Sequence, residues 1–289
     1  MGTLPDHNEV RALHKNVMSN QERDSLLDDR VNTVLVPNVC YGDPGGTPLR
    51  LDILRPEPQP AARMPVVIEL HTGAWTYGEK DAERNRLFAE HGFFTASVDY
   101  RLSGAATFPA QIEDVKMAVR WLRAQADTYG LEPARMGVWG LSAGGHLAAL
   151  LGLAGDRDTP EAEPRVDTYS AQVQAVATIA APTDIVHLNG EFEPLLLGGP
   201  VAERAELARL ASPVAFVTPA APPFLIVHGT HDERVPFQQA ILLNDMLLGV
   251  GADVTLVPIA GGDHMRLFEQ HHQAIMQAML SFFSRTLRH

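Results

Sequence analysis

The sequence predicts an α/β protein, a mostly parallel, doubly wound central sheet flanked by helices. Two observations carry this. Short apolar runs, typical of strands buried on both faces, recur along the chain with helical patterns between them. One of these runs leads straight into an apolar helix through Gly140-Leu141-Ser142-Ala143-Gly144. The length of 289 residues suits one large α/β domain spanning 1–289. A chain of this size buries roughly three quarters of its unfolded surface and needs no disulfide or metal to hold a core.

The elements follow in order. Residues 1–32 are polar, with acids and bases mixed, and 7–30 read as one or two helices forming a flap beside the main domain. Asp43 to Pro48 (DPGGTP) is a turn, and Leu49 to Leu54 alternates like a strand. A Pro-rich loop runs from Pro56 to Pro65. Val66 to Leu70 (VVIEL) and Phe93 to Val98 (FFTASV) are strands, with a helix over Asp81 to His91 between them. Ile112 to Ala126 sets Val115, Ala118, Val119, Leu122 and Ala126 on one helical face. Met136 to Trp139 is a strand, Gly144 to Leu153 a helix and Val173 to Ala181 a strand. Thr183 to Val214 then breaks the rhythm with an acidic, Gly/Pro-interrupted loop and a helix near Ala202 to Leu210. An excursion over 183–214, outside the sheet, reads as a lid or cap. Phe224 to Val227 and Val254 to Pro258 are the last strands, separated by a helix over Pro236 to Leu248. A closing helix runs from about Met265 to Arg285, and an apolar face left over on it would suit a second copy in a homodimer.

Composition narrows the partners. Acidic residues number 35 and basic residues 23, a net charge of −12 that disfavours nucleic acid and anionic membranes. The N-terminal stretch has no signal-peptide pattern, and no apolar run approaches the roughly 20 residues that span a bilayer. The single cysteine, Cys40, cannot form an internal disulfide and fits a reducing compartment. The chain therefore reads as soluble and cytoplasmic. It carries no H-E-x-x-H, no paired cysteines and no G-x-x-x-x-G-K-[ST] loop, and His271-His272 lies on a helix without an obvious third ligand. No metal and no cofactor are expected.

The chemistry is read first from Gly140-Leu141-Ser142-Ala143-Gly144. A G-x-S-x-G between a strand and a helix places the serine on a tight, strained turn. Side chains two positions either side would collide with neighbouring chain, so glycine fits there. The turn lifts Ser142 Oγ out at the carboxyl edge of the sheet, above a helix N-terminus that favours negative charge. A serine needs a base. Twelve histidines are present, but His264 stands out in Gly261-Gly262-Asp263-His264, six residues past Pro258. Glycines there let a loop swing an imidazole over the serine. The third member is a carboxylate that orients the imidazole. Asp232 and Glu233, after the strand ending at Val227, are both candidates. Asp232 is favoured, because Glu233 suits solvent or a pair with Arg234. The order Ser142, Asp232, His264 is that of an α/β-hydrolase. An oxyanion needs N–H donors. His71-Thr72-Gly73-Ala74-Trp75 follows a strand, and Gly73, Ala74 and Ala143 are the expected donors, with His71 shaping the loop. Trp75, Tyr77, Leu195 and Leu196 are the expected pocket walls.

Those segments resemble the α/β-hydrolase esterases related to hormone-sensitive lipase, and more closely their bacterial feruloyl-esterase-like and acetylesterase-like branch. The resemblance runs from about residue 65 to 265. It rests on His71 to Trp75, Val98 to Ser103 (VDYRLS), Phe108 to Ala110, Trp139 to His146 (WGLSAGGH), His228 to Pro236 (HGTHDERVP) and Gly262 to His264. It implies the same Ser142, Asp232 and His264, and the same oxyanion donors. It also implies that Asp99 to Leu102 and Asp114 are structural, and that Asp184 begins the cap. Two positions depart from the pattern. Thr72 stands where a glycine is usual, and Leu141 where an acid is common.

The expected function is hydrolysis of short-chain or aryl carboxylic esters, with a small-molecule ester as the partner. Amide hydrolysis, including aryl formamide cleavage, would use the same three residues. A non-catalytic binding protein on this fold would be expected to have lost one of them, and none is missing.

Overall fold

The structure is a computed structural model that describes residues 30–157, 169–188 and 190–288. The flap expected over 1–32 falls outside the described residues except for 30–32, which run as irregular chain into the first strand.

Eight strands form one sheet among the described residues: β1 (Thr33–Gly42), β2 (Leu49–Pro56), β3 (Met64–Leu70), β4 (Phe94–Val98), β5 (Leu131–Leu141), β6 (Ala175–Ile179), β7 (Phe224–Gly229) and β8 (Val254–Ile259). Their order across the sheet is β1-β2-β4-β3-β5-β6-β7-β8. From β4 to β8 every pairing is parallel, while β1–β2 and β2–β4 are antiparallel.

Strand periodicity explains the two cores. Side chains alternate across a pleated sheet. Val66, Ile68 and Leu70 of β3 therefore enter one cluster and Val67 the other, and Val138 and Trp139 divide in the same way on β5. The first cluster is covered by α2 (Ala110–Ala124) through Val115, Val119 and Leu122, and by α4 (Ala143–Ala154) through Leu147, Leu150 and Leu151. The second is covered by Phe88 of α1 (Arg86–Glu90) and by Ile275, Met279 and Phe283 of α9 (His272–Leu287). Helices on both faces hide the parallel strands from water, as the sequence predicts.

The remaining described helices are α3 (Ala126–Tyr129), α5 (Glu193–Leu197), α6 (Ala205–Leu210), α7 (Gln238–Gly249) and α8 (Leu267–Gln270). Three expectations change. The helix expected over Asp81 to His91 is a 3-10 turn, Ala82–Asn85, followed by α1. The closing helix divides at His271 into α8 and α9. β1, absent from the sequence reading, forms the edge of the sheet. Its alternation is broken at Pro37-Asn38, where the register jumps from Val36–Ile53 to Val39–Leu51 and Asn38 takes φ 59°. Proline and a left-handed residue are tolerated at an edge bulge, and they erase the period-two signal.

The excursion between β6 and β7 holds α5 and α6 and lies outside the sheet. Arg101 and Asp114 join the loop after β4 to α2. The Arg101 backbone N–H and guanidinium both donate to the fully buried carboxylate, with Nη2–Oδ1 at 2.7 Å.

Candidate active site

Ser142 sits between β5 and α4 with φ 54° and ψ −117°, a backbone conformation that few non-glycine residues adopt. Close packing holds it there. A Cβ on Gly140 would lie 2.2 Å from the Gly144 carbonyl carbon, and one on Gly144 would lie 2.0 Å from the Leu70 carbonyl oxygen. Only hydrogen at both places lets the turn close against the end of β3. The Ser142 N–H donates to Ile179 O at 2.8 Å, anchoring the turn to β6.

His264 comes from the loop after β8. Its Nε2 lies 3.0 Å from Ser142 Oγ, and its Nδ1 lies 2.7 Å from Asp232 Oδ2. Nδ1–H faces a carboxylate, so it donates, and Nε2 is left to accept from the serine hydroxyl. The loop after β7 carries Asp232 and is stitched to the His264 loop. Thr230 N–H donates to Ile259 O at 3.0 Å, and His231 N–H to Gly262 O at 3.1 Å.

The Asp232 side chain has no exposed surface. Burial alone would push its carboxyl up. Hydrogen bonding with His228 and His264, the His264 charge and the Val235 N–H outweigh that and hold it well below the ordinary range. Oδ1 accepts from the N–H groups of Arg234 at 3.0 Å and Val235 at 2.8 Å. His228 Nε2–H donates to Val235 O at 2.8 Å and lies 3.4 Å from Asp232 Oδ2. Glu233, the other candidate acid, is exposed.

Gly73, Ala74 and Trp75 take φ values of 125°, 49° and 59° in succession. A glycine adopts such angles readily, but each of the other two costs on the order of 1–3 kcal/mol. The Gly73 carbonyl accepts from Thr76 and Tyr77 N–H at 2.9 and 3.0 Å, which closes the loop into a turn. Ala143 opens α4, where the first N–H groups have no partner inside the helix. His71 supports this loop. It stacks on Tyr100 at 4.1 Å and bonds through Nδ1 to Thr72 O at 2.8 Å, and burial lowers its pKa to about 4.

A cavity of about 890 Å³ opens beside Ser142 and His264. Trp75 and Tyr77 line it as expected, and so do Thr72 and Leu141, the two departures from the family pattern. Leu195 and Leu196 do not line it, which corrects the sequence reading. α5 turns Glu193 toward the cavity, and helical rotation then carries Leu196 into the core and leaves Leu195 half exposed. Among the residues missed are His187, Leu188, Phe192 and Met265 in the lining and His228 behind Asp232. His228 lies within the HGTHDERVP segment, so its motif was visible while its contact was not.

The BD-FAE family matches residues 51–247, more than half of the chain. The chain belongs to the BD-FAE family. Other similarities agree with the BD-FAE assignment. Esterase LipQ of Mycobacterium tuberculosis is 33% identical over 226 residues, 74% of this chain and 53% of that protein. Esterase LipC of the same organism is 33% identical over 239 residues, 78% of this chain and 58% of that protein. The chain spans little more than half the length of these two relatives. A thermophilic esterase from Thermogutta terrifontis has a TM-score of 0.73 at 25% identity, covering 86% of this chain and 91% of that one. With its sheet order and this likeness, the BD-FAE chain has the α/β-hydrolase fold. No helix among the described residues is long and apolar enough to cross a membrane.

Proposed function

We propose that this chain is a serine carboxylesterase that cleaves short-chain or aryl carboxylic esters through an acyl-enzyme on Ser142. The observation that carries the reading is the Ser142–His264–Asp232 hydrogen-bonded chain opening on the cavity. His264 Nε2 takes the hydroxyl proton as Ser142 Oγ attacks the ester carbonyl. Asp232 holds the imidazole in the right tautomer and stabilises its cation. The N–H groups of Gly73, Ala74 and Ala143 receive the oxyanion. His264 then protonates the leaving alcohol, and water releases the acyl group by the reverse sequence.

The cavity volume falls in the usual range for small-molecule sites, about 300–1,000 Å³. Leu141, Leu188, Phe192 and Met265 supply an apolar portion beside Ser142. The segment after β6 forms part of the wall, which supports its reading as a cap. The names of the mycobacterial relatives support ester over amide as the preferred bond. The lone Cys40 supports a cytoplasmic location.

Hydrolysis of a chain-length series of p-nitrophenyl esters tests this, with wild type and Ser142→Ala side by side. The wild type is expected to turn over short acyl chains fastest, and the variant to be inactive on all. Activity surviving in Ser142→Ala would refute the assignment.

A further inference from the structure

The strained loop of Gly73, Ala74 and Trp75 needs something to hold it, and the Trp75 side chain is the part that is tied down. It is 2% exposed. Its indole Nε1–H donates to His146 Nδ1 at 3.1 Å, and the two rings meet edge-on at 5.1 Å. His146 stands one turn after Ser142 on α4, and its backbone N–H donates to Ser142 O at 2.9 Å. Its ring is fully buried, and its other nitrogen, Nε2, lies 2.6 Å from the carbonyl oxygen of Ala211, just past the end of α6.

These contacts allow only one arrangement of protons. A carbonyl can only accept, so Nε2 carries the hydrogen. Nδ1 is then the bare acceptor that the indole N–H requires. Burial lowers the pKa of this imidazole to about 4, so the ring stays neutral and the arrangement holds across neutral pH. One side chain thus joins the serine turn, the oxyanion loop and the end of the cap.

We propose that His146 is a positioning residue for ester hydrolysis: acting through the Trp75 indole, it holds the Gly73 and Ala74 N–H groups where the oxyanion forms. This rests on the Ser142 reading above. His146 touches no substrate. Its effect falls on the transition state, because the oxyanion exists only there, so it acts on kcat rather than KM.

The test uses the full chain and p-nitrophenyl ester hydrolysis, with active sites counted by stoichiometric organophosphate labelling and melting temperatures measured in parallel. Trp75→Phe keeps a ring and removes the donor, and His146→Leu removes the acceptor. Each is expected to lower kcat per active site about tenfold with KM little changed. In the double variant Trp75→Phe/His146→Gln, which can keep the Ala211 contact, kcat is expected to fall no further than in either single variant, since both delete the same Trp75–His146 bond. His146→Asn can place an amide oxygen near the Nδ1 position and is expected to keep most of kcat. His146→Gln places its amide nearer Nε2, keeps the Ala211 contact, and is expected to lose kcat as His146→Leu does.

Melting temperatures that fall while kcat per active site is unchanged would mean that His146 is merely structural and overturn the proposal. So would losses that multiply in the double variant. If His146→Leu does not fold, Trp75→Phe and the Asn/Gln pair still decide. Ser142→Ala runs in the same series: activity there sinks the underlying reading, whereas an inactive Ser142→Ala beside a fully active Trp75→Phe sinks this proposal alone.

Discussion

Asp232 shows how a buried charge is kept. Its side chain has no exposed surface, and burial opposes ionisation. Two backbone N–H groups on Oδ1 and two imidazoles near Oδ2 outweigh that cost. Its carboxyl is held well below the ordinary range, so acidification to the mildly acidic region leaves it ionised. An amide at this place could still accept on one side, but its other face would no longer select the His264 tautomer that accepts from Ser142. Asp232→Asn is therefore expected to lower kcat by about 10³–10⁴-fold, in line with the loss when such an acid is amidated. A loss smaller than about tenfold in steady-state kinetics would show that another acid, such as Glu233, orients His264.

β3 carries a different burden. Its Val66, Ile68 and Leu70 pack into one core and Val67 into the other, and Glu69 is buried among them at 1% exposure. The Ser97 hydroxyl lies near the carboxyl but donates to Asp81 O at 3.0 Å, and the guanidinium of Arg84 stands 3.7 Å away, so little compensates the buried group. Burial pushes the Glu69 pKa up to about 8, with Arg84 opposing in part. The sign of the effect on stability follows. At a pH below the unfolded value of about 4.5 the carboxyl is protonated in both states and favours neither. As pH rises the unfolded chain ionises first, and stability is lost progressively until the folded carboxyl ionises near pH 8. Glu69→Gln stays neutral throughout. Its melting temperature relative to wild type is expected to rise between about pH 5 and about pH 8, and a difference that is flat or falls with pH would contradict the burial argument.

The site is assembled by the molecule as a whole, since Ser142 and His264 lie 122 residues apart in the chain. β7 and β8 are parallel neighbours, so the Asp232 loop and the His264 loop leave the same edge of the sheet and bond to each other. Gly229, where β7 ends, packs tightly on the His264 loop: a Cβ there would lie 2.2 Å from Gly262 O. Backbone cannot give way there without moving the loop that holds His264. Gly229→Ala is expected to lower kcat by more than about tenfold, because even a shift on the order of 1 Å is costly in a positioned site. A variant with wild-type kcat would show that the two loops move independently.

Local pattern was enough for much of this. The interior strands were readable because burial on both faces demands an apolar run, and Gly140 to Gly144 was readable because a strained turn packed against β3 excludes side chains at set spacings. β1 was hidden by its Pro37-Asn38 bulge, which an edge strand tolerates. The apolar run Leu195-Leu196, in the excursion between β6 and β7, does not by itself reveal which face of one helical turn meets the cavity. Neighbouring charges favour Asp232 over Glu233, but two adjacent carboxylates differ in burial only once the β7 and β8 loops are joined. The contacts of His228 with Asp232, and of His146 with Trp75 and Ala211, leave no periodic trace. Periodicity along a chain records which residues must leave water. Which buried groups then meet depends on the order of strands in the sheet and the packing of the loops at its edge.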